Sequence, residues 1–394
     1  MRTWDAIVVG AGPAGCAAAY DLAHTGHSVL LLDRAEFPRQ KACAGGLTAK
    51  TIRALRYPVD PVVRQQLNRL RIERDRDHST ILRRSADYCF MTVRKELDDY
   101  CLRQTVAAGA IFRRIGNIAA VEEDAEGVSI EADGQTLRAH FVIGADGVHS
   151  RVRRLAHAAK NASEEGHSEP SWFWRAFALE ANVPVPDASS HELIFDFATV
   201  RDGYGWIFPK GDHVNVGLYS YSPDEKIDRT RLASYIQERF GDVTAEDVIG
   251  QYAGFGAGDH QVEATKIFLV GDAGGFVDPL TGEGIYFAIV SGQAAAQAIH
   301  ADLRSGIAAH LGFRMATEKL RADLAVSTSG ARWFYGHLDQ GYRFLSMPLL
   351  RSAAVRAFAD GVNISKLALR VRKMTRQRPL SGSRSQSPAN SLLN

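Results

Sequence analysis

The chain has 394 residues, 45% hydrophobic and 23% charged, with a formal net charge of +2. That balance excludes a disordered or fibrous protein and leaves apolar material for two or three domain-sized units. Its apolar runs are too short or too interrupted to span a membrane, and its four cysteines (Cys16, Cys43, Cys89, Cys101) stand singly, against a disulfide framework or a zinc site. Single cysteines fit a reducing compartment, and a strand-like run from Ala6 leaves no room for a signal peptide, so a cytoplasmic location is expected.

Residues 5–33 read as a βαβ unit: a buried strand to Val9, a glycine turn, an Ala-rich helix ending near Gly26, and a second strand ending at Asp33. Residues 34–48 read as irregular. A helix is expected over 92–108, opened by Thr92 with Glu96 as its capping partner. Strands follow at 110–114, 117–122, 128–132 and 140–144. The small, polar stretch 157–169 reads as a loop or boundary. Residues 171–220 alternate as strands do, 228–240 read as a helix, Ile267–Val270 as a strand, and 284–303 as a helix. The remainder to about 374 reads as helical, and the Ser-, Arg- and Pro-rich end as disordered. After Asp360 there is no acidic residue but seven basic ones, so the body before it is net acidic. Such a tail can attract anionic lipid headgroups or nucleic acid; a solvated, disordered end is the alternative.

Gly10-Ala11-Gly12-Pro13-Ala14-Gly15 is a GxGxxG run between a strand and a helix. Gly10 allows the tight turn, Gly12 lets backbone approach a diphosphate, and Gly15 lets helix and strand close up. The helix N-terminus then offers free N–H groups to phosphate. Asp33, 18 residues beyond Gly15, stands where a carboxylate bonds a ribose hydroxyl. This motif does not separate FAD from NAD, but two later strands do, each ending in a Gly/Asp turn: Phe141 to Gly147 and Ile267 to Gly274. Asp272 could hold a ribityl hydroxyl. Gly282 and Gly284 precede a helix whose N–H groups could face the flavin pyrimidine.

With these motifs in this order the sequence resembles the flavoprotein group that includes p-hydroxybenzoate hydroxylase. Within it, the geranylgeranyl reductase family is the nearest likeness. Lys41-Ala42-Cys43-Ala44-Gly45-Gly46 resembles that family's Cys-x-Gly-Gly segment, Tyr204 to Lys210 its YxWxFPK motif, and Asp278 to Ile285 its DPxTGEGI run. The likeness spans roughly residues 1–300. Two positions depart: Arg201 replaces a frequent proline, and Ala44 replaces the usual glycine after the cysteine. The resemblance implies FAD contacts at Ala14, Asp33, Cys43, Ala44, Gly46, Arg94, Asp272, Gly284 and Ile285, with Ile118 lining the adenine through its backbone. Arg94, at a helix start, reads equally as a surface cap or a salt-bridge residue.

The fold class expected is α/β: a Rossmann-type FAD-binding domain with an inserted antiparallel β-sheet substrate domain and a C-terminal helical region. The expected boundaries are 1–155 and 261–303 for the FAD-binding domain, with 49–90 contributing to the substrate side. The substrate domain takes 156–260, the helices 304–374 and the basic tail 375–394. Tyr204, Trp206 and Phe208 alternate onto one strand face, as do Phe195 with Phe197 and Trp172 with Trp174, enough to wall a cavity. The implied activity is saturation of isoprenoid carbon–carbon double bonds by hydride from reduced flavin N5. Cys43, Tyr204 and Trp206 are the candidate catalytic residues; Cys43, Tyr204 or a water would supply the proton, and Cys43 reads equally as a packing residue. A flavin monooxygenase or halogenase and a non-catalytic redox sensor are the rival readings. Implied partners are an isoprenoid or polyprenyl lipid, NAD(P)H or a small redox protein as electron donor, and membrane lipid in peripheral contact at the inner face, through helices around Trp333 and Phe344. No metal and no nucleic acid are expected.

Overall fold

The computed structural model describes residues 2–160, 169–222, 224–256 and 265–361. The expected 375–394 tail and the end of the C-terminal helical region lie outside the described residues. The first half contains β1 (Thr3–Val9), α1 (Pro13–His24), β2 (Val29–Asp33), β3 (Gly46–Thr48), α2 (Ala49–Ala54), β4 (Val63–Leu67), β5 (Arg69–Glu73), β6 (Ser79–Arg83), β7 (Cys89–Thr92), α3 (Arg94–Ala107), β8 (Ile111–Arg114), β9 (Ile118–Glu123), β10 (Val128–Ala132), β11 (Gln135–Gly144) and α4 (Arg151–Lys160). The second contains β12 (Phe173–Pro184), β13 (Ile194–Asp196), β14 (Gly203–Pro209), β15 (His213–Ser220), α5 (Arg229–Phe240), β16 (Glu246–Gly256), β17 (Ile267–Leu269), α6 (Ile285–Ser305), α7 (Ala309–Gly336), α8 (Leu338–Ser346) and α9 (Pro348–Asp360).

The first sheet runs β8-β2-β1-β11-β10-β9, with β17 also paired to β11. Only β10 runs opposite to the other strands of this sheet. Ala6–Val9 of β1 and Val29–Leu32 of β2 are continuous apolar runs buried on both faces, as a parallel core requires. Helices α1 and α6 lie against one another so closely that a Cβ on Gly292 would stand 2.2 Å from the Ala14 carbonyl oxygen. The Ser291 hydroxyl accepts the Gly271 N–H at 2.9 Å, tying α6 to the turn after β17.

The second sheet runs β16-β12-β15-β14-β13-β5-β6. Residues 69–83, far earlier in sequence, thus complete its edge. It departs from the expected antiparallel order at one pair, because β13 meets β5 in parallel. One face packs on α5 through Leu232, Tyr235 and Ile236. The other, aromatic face packs against the C-terminal helices through Tyr342, Val355 and Ala359. A small sheet, β3-β7-β4, sits between these two bodies.

Three local expectations need correction. Thr92 does not cap α3: the N-cap is Val93, without a side-chain bond, and the Thr92 hydroxyl donates to the Gly45 carbonyl at 2.8 Å. Residues 157–160 are helical rather than loop, closing α4, which is capped by Ser150 and Asp146. Trp172 does not join Trp174 on the aromatic face. It precedes β12 and packs with the first sheet's core, while Trp174 lies on Phe255.

Candidate active site

The glycine turn between β1 and α1 is built as its sequence demands. Gly10 holds φ +105°, and a Cβ there would lie 2.3 Å from the Ala145 carbonyl oxygen. At Gly15 a Cβ would strike the Gly10 carbonyl oxygen at 1.7 Å. Gly12 differs: a Cβ there would meet only the Arg39 guanidinium, at 3.7 Å. Gly12 caps α1 with no side-chain bond, which leaves the first-turn N–H groups of Ala14 and Gly15 facing that open space. Asp33 supports the turn directly, accepting the Ala11 N–H at 2.6 Å and the Ala35 N–H at 2.8 Å. Ile118 opens β9 just past Ile115, whose N–H bonds the Asp33 carbonyl; the Ile118 carbonyl itself accepts from Arg151 at 3.1 Å.

Arg94 is neither a cap nor a surface residue. It is buried and gives two 2.8 Å hydrogen bonds to Asp98, one helical turn along. Asp98 also takes Arg39 at 3.0 Å. Two guanidinium groups thus share one buried carboxylate, leaving a positive surplus beside Gly12. Burial opposes the Arg94 charge, but Asp98 and the Cys43 thiol outweigh it and hold the guanidinium protonated.

Asp272 lies in the turn after β17 and accepts the Gly254 N–H at 3.2 Å. Burial pushes its carboxyl up, and Lys41 pulls it back down. Gly284 caps α6 without a side-chain bond, its Cβ position 3.6 Å from the Asp272 carboxylate, and Ile285 begins the helix. The two uncapped helices α1 and α6 therefore converge from opposite ends of the chain. Asp146 plays no comparable part, because its carboxylate is consumed at the start of α4.

The Cys43–Gly46 turn bridges the two bodies. The Cys43 N–H donates to Glu180 on β12 at 2.9 Å, and Gly46 pairs with Met91 on β7. Lys210, at the end of β14, grips the Ala44 and Thr92 carbonyls. Phe208 comes within 3.4 Å of the Cβ position of Gly46, which joins the aromatic face to the turn. On that face Phe195 lies between Tyr204 and Phe208, at centroid distances of 5.1 and 5.3 Å. Trp206 donates its indole N–H to Asn215 at 2.8 Å. The face is roofed by helix side chains, Phe334 against Phe197 and Phe358 against Phe195.

Three phenols clamp three consecutive carbonyls. Tyr219 donates to Pro279 at 3.0 Å, Tyr335 to Leu280 at 2.7 Å, and Tyr204 to Thr281. The Tyr204 proton is therefore committed to backbone, and burial pushes its phenol up, further from acid duty. Tyr204→Phe should lower turnover by less than about tenfold, the worth of one hydrogen bond, with an unshifted pH profile. A lost alkaline limb in that variant would instead return Tyr204 to proton supply.

Sequence reasoning missed Arg39, Asp98, Glu180 and the role of Lys210. Asp98 was readable, four residues beyond Arg94. Glu180 gave no local signal, because its partner is 137 residues away. Lys210 was visible as a lysine directly following a wholly buried strand.

Open space over Gly12, two uncapped helix N-termini, a cationic surplus and a half-buried carboxylate beside Gly284 fit FAD. Gly10, Gly12, Ala14, Gly15, Arg39 and Arg94 would hold its diphosphate, and Asp33 and Asp272 its hydroxyls. The fold and site define a flavin-dependent oxidoreductase. The FAD binding domain family matches residues 3–312. Geranylgeranyl diphosphate reductase of Rhodobacter capsulatus is 31% identical over 317 residues, 78% of each chain. A geranylgeranyl bacteriochlorophyll reductase-like protein from Thermoplasma acidophilum shares the fold at a TM-score of 0.74 and 21% identity, covering 93% of this chain and 99% of that one. The flavin-dependent brominase Bmp2 shares it equally, at 0.74 and 17% identity over 96% and 100% of the chains. The chain belongs to the geranylgeranyl reductase family of FAD-dependent oxidoreductases.

Proposed function

We propose that this oxidoreductase saturates carbon–carbon double bonds of an isoprenoid, a geranylgeranyl or polyprenyl lipid. The observation that carries the reading is the junction of Phe208 with the Cys43–Gly46 turn. It sets an apolar aromatic face, suited to a hydrocarbon chain, against a turn that the family likeness assigns to the flavin. The name of the Rhodobacter capsulatus relative supports the same substrate class. Reduced FAD supplies a hydride from N5. The chain's own residues bind and align the alkene, exclude water beneath α7–α9, and deliver a proton from Cys43 Sγ. Trp206, fixed by Asn215, acts as a wall.

The electron donor is proposed to dock transiently, as NAD(P)H or a small redox protein, since one dinucleotide motif serves FAD and no second is visible in the sequence. Among the described residues no helix is long and apolar enough to cross a membrane. Exposed Trp333, Phe344, Met347 and Leu349 on α7 to α9 favour peripheral contact with a lipid surface.

The experiment is anaerobic. Protein reduced with dithionite is given geranylgeranyl diphosphate, and products are weighed by mass spectrometry. A gain of two hydrogens per saturated bond is expected. An unchanged isoprenoid, together with oxygen-dependent hydroxylation or halogenation of an aromatic compound, would overturn the reading in favour of a monooxygenase or halogenase.

A further inference from the structure

Glu283 stands one residue before Gly284, the cap of α6. Its carboxylate forms an ion pair with Lys50 of α2 at 2.6 Å, and the two side chains are only 9% and 8% exposed. The hydroxyl of Thr48, at the end of β3, donates to Glu283 Oε1 at 2.8 Å and is itself hydrogen-bonded to Thr51. The Lys50 ammonium lies 4.9 Å from the Tyr286 ring centroid and 5.6 Å from that of Phe287, both in the first turn of α6. Gly361, which caps α9, closes over the lysine stem: a Cβ there would stand 3.2 Å from Lys50 Cδ. Both carboxylate oxygens and the cation are thus held out of water.

Fastening alone does not account for two charges. Gln293 of α6 already ties α2 down by donating to the Ala54 carbonyl at 2.7 Å. Drying an ion pair is costly, and a well-packed apolar pair of similar volume would fasten as well. What the charges add is a field. β3 and α2 continue from the Cys43–Gly46 turn, and α6 begins at Gly284, so the pair joins the two segments that the family likeness sets around the flavin ring. The start of α6, with no side-chain cap, carries a partial positive charge suited to the negative pyrimidine of reduced flavin. A lone Glu283 carboxylate at that point would oppose this charge. Lys50 cancels the carboxylate.

We propose that Lys50 and Glu283 form a neutral clamp that positions the start of α6 and sets the reduction potential of the bound flavin. Glu283, held by Thr48, fixes where the helix begins. Lys50 keeps that anchor from opposing electrons that arrive on the ring. The inference rests on FAD at this site and not on an isoprenoid substrate. The other titratable groups facing Glu283 are Asp278 in its own loop, Cys89 from β7, Tyr204 from β14 and Tyr286 of α6. Burial pushes the pKa of Cys89, Tyr204 and Tyr286 up, so all three stay neutral near pH 7. Asp278 is engaged with the Leu280 N–H and the Ser327 hydroxyl.

The test titrates the FAD-loaded full chain anaerobically against reference dyes, with no isoprenoid present. Glu283→Gln leaves a cation at the helix start. It should favour reduced flavin on the order of tenfold over the wild type, the effect of one unit charge in a protein interior and about 30 mV for a two-electron couple. Lys50→Met leaves an anion and should shift the equilibrium the other way by a like amount. Burial pushes the Glu283 carboxyl up while Lys50 draws it down, so without the lysine it takes a proton as pH falls. The Lys50→Met shift should therefore be full at about pH 9 and fade towards about pH 6, whereas the Glu283→Gln shift should fade as pH rises and the buried ammonium loses its proton. The double variant leaves no net charge and should return close to the wild-type potential. Shifts of one sign in both single variants mean a displaced helix and overturn the proposal. So does the absence of any shift beyond about twofold between about pH 6 and 9. If Lys50→Met loses its FAD, Glu283→Gln decides alone, and a potential unmoved or lowered sinks the idea. FAD lost from all three variants means a structural fastening only, and overturns it too. Because no isoprenoid enters, failure here is separate from failure of the reductase assay.

Discussion

Gly12→Val should give a folded, colourless protein. The reason lies in the contrast among three glycines of one turn. At Gly10 and Gly15 an added Cβ collides with backbone carbonyl oxygen at 2.3 and 1.7 Å, so those positions are required by the chain itself. At Gly12 it meets only a guanidinium at 3.7 Å, so the chain itself does not require glycine there and the space above it is open to a ligand. The apoprotein should lose only about 1 kcal/mol, the difference between glycine and a branched residue at a helix N-cap. FAD should lose the approach of its diphosphate to the α1 N-terminus and fail to bind at micromolar concentrations. Visible absorbance of the purified variant and the melting temperature with and without added FAD check both halves. Gly15→Ala is the control, expected to disrupt the turn whether or not flavin is present. Full flavin occupancy in Gly12→Val would displace the diphosphate from this turn.

Asp98→Ala should be the most destabilising single change at the site. The carboxylate is fully buried and is the only anion seen on the Arg94 guanidinium among the described residues. Removing it leaves a buried cation beside a second one, a defect that costs about 3–5 kcal/mol. Urea unfolding of the apoprotein would measure the loss as a lower midpoint with an unchanged slope. A loss under about 1 kcal/mol would mean that water reaches Arg94 and that the arginine pair is less dry than its burial indicates. Asp98→Asn, which keeps an acceptor, should fall between the two.

The nucleotide half of the fold was legible in the sequence because its determinants are local. Gly10 to Gly15 shape one turn, Ala6–Val9 of β1 and Val29–Leu32 of β2 are unbroken apolar runs, and Asp33 closes the unit within about 30 residues. The aromatic alternation of Tyr204, Trp206 and Phe208 was legible for the same reason, since period two on a strand needs no partner to be seen. What escaped was held by distant partners. β5 and β6 finish a sheet begun a hundred residues later, and β13 joins them in parallel. Thr92 looked like a cap until Gly45 took its hydroxyl. Trp172 and Trp174 looked like a pair, but β12 begins between them, so the first turns back to the nucleotide sheet. Glu180 and Lys210 meet the Cys43 turn only because two sheets are brought together.

Tyr204, Tyr219 and Tyr335 fasten Pro279, Leu280 and Thr281 from two strands and one late helix. Such a fastening sets a timetable for biosynthesis. A nascent chain that has emerged only through α1 offers the cofactor half a grip, and the other half waits on α6 and α7 leaving the ribosome. Flavin loading should therefore come late, and truncation within α7 should release chains that begin correctly yet hold their prosthetic group poorly.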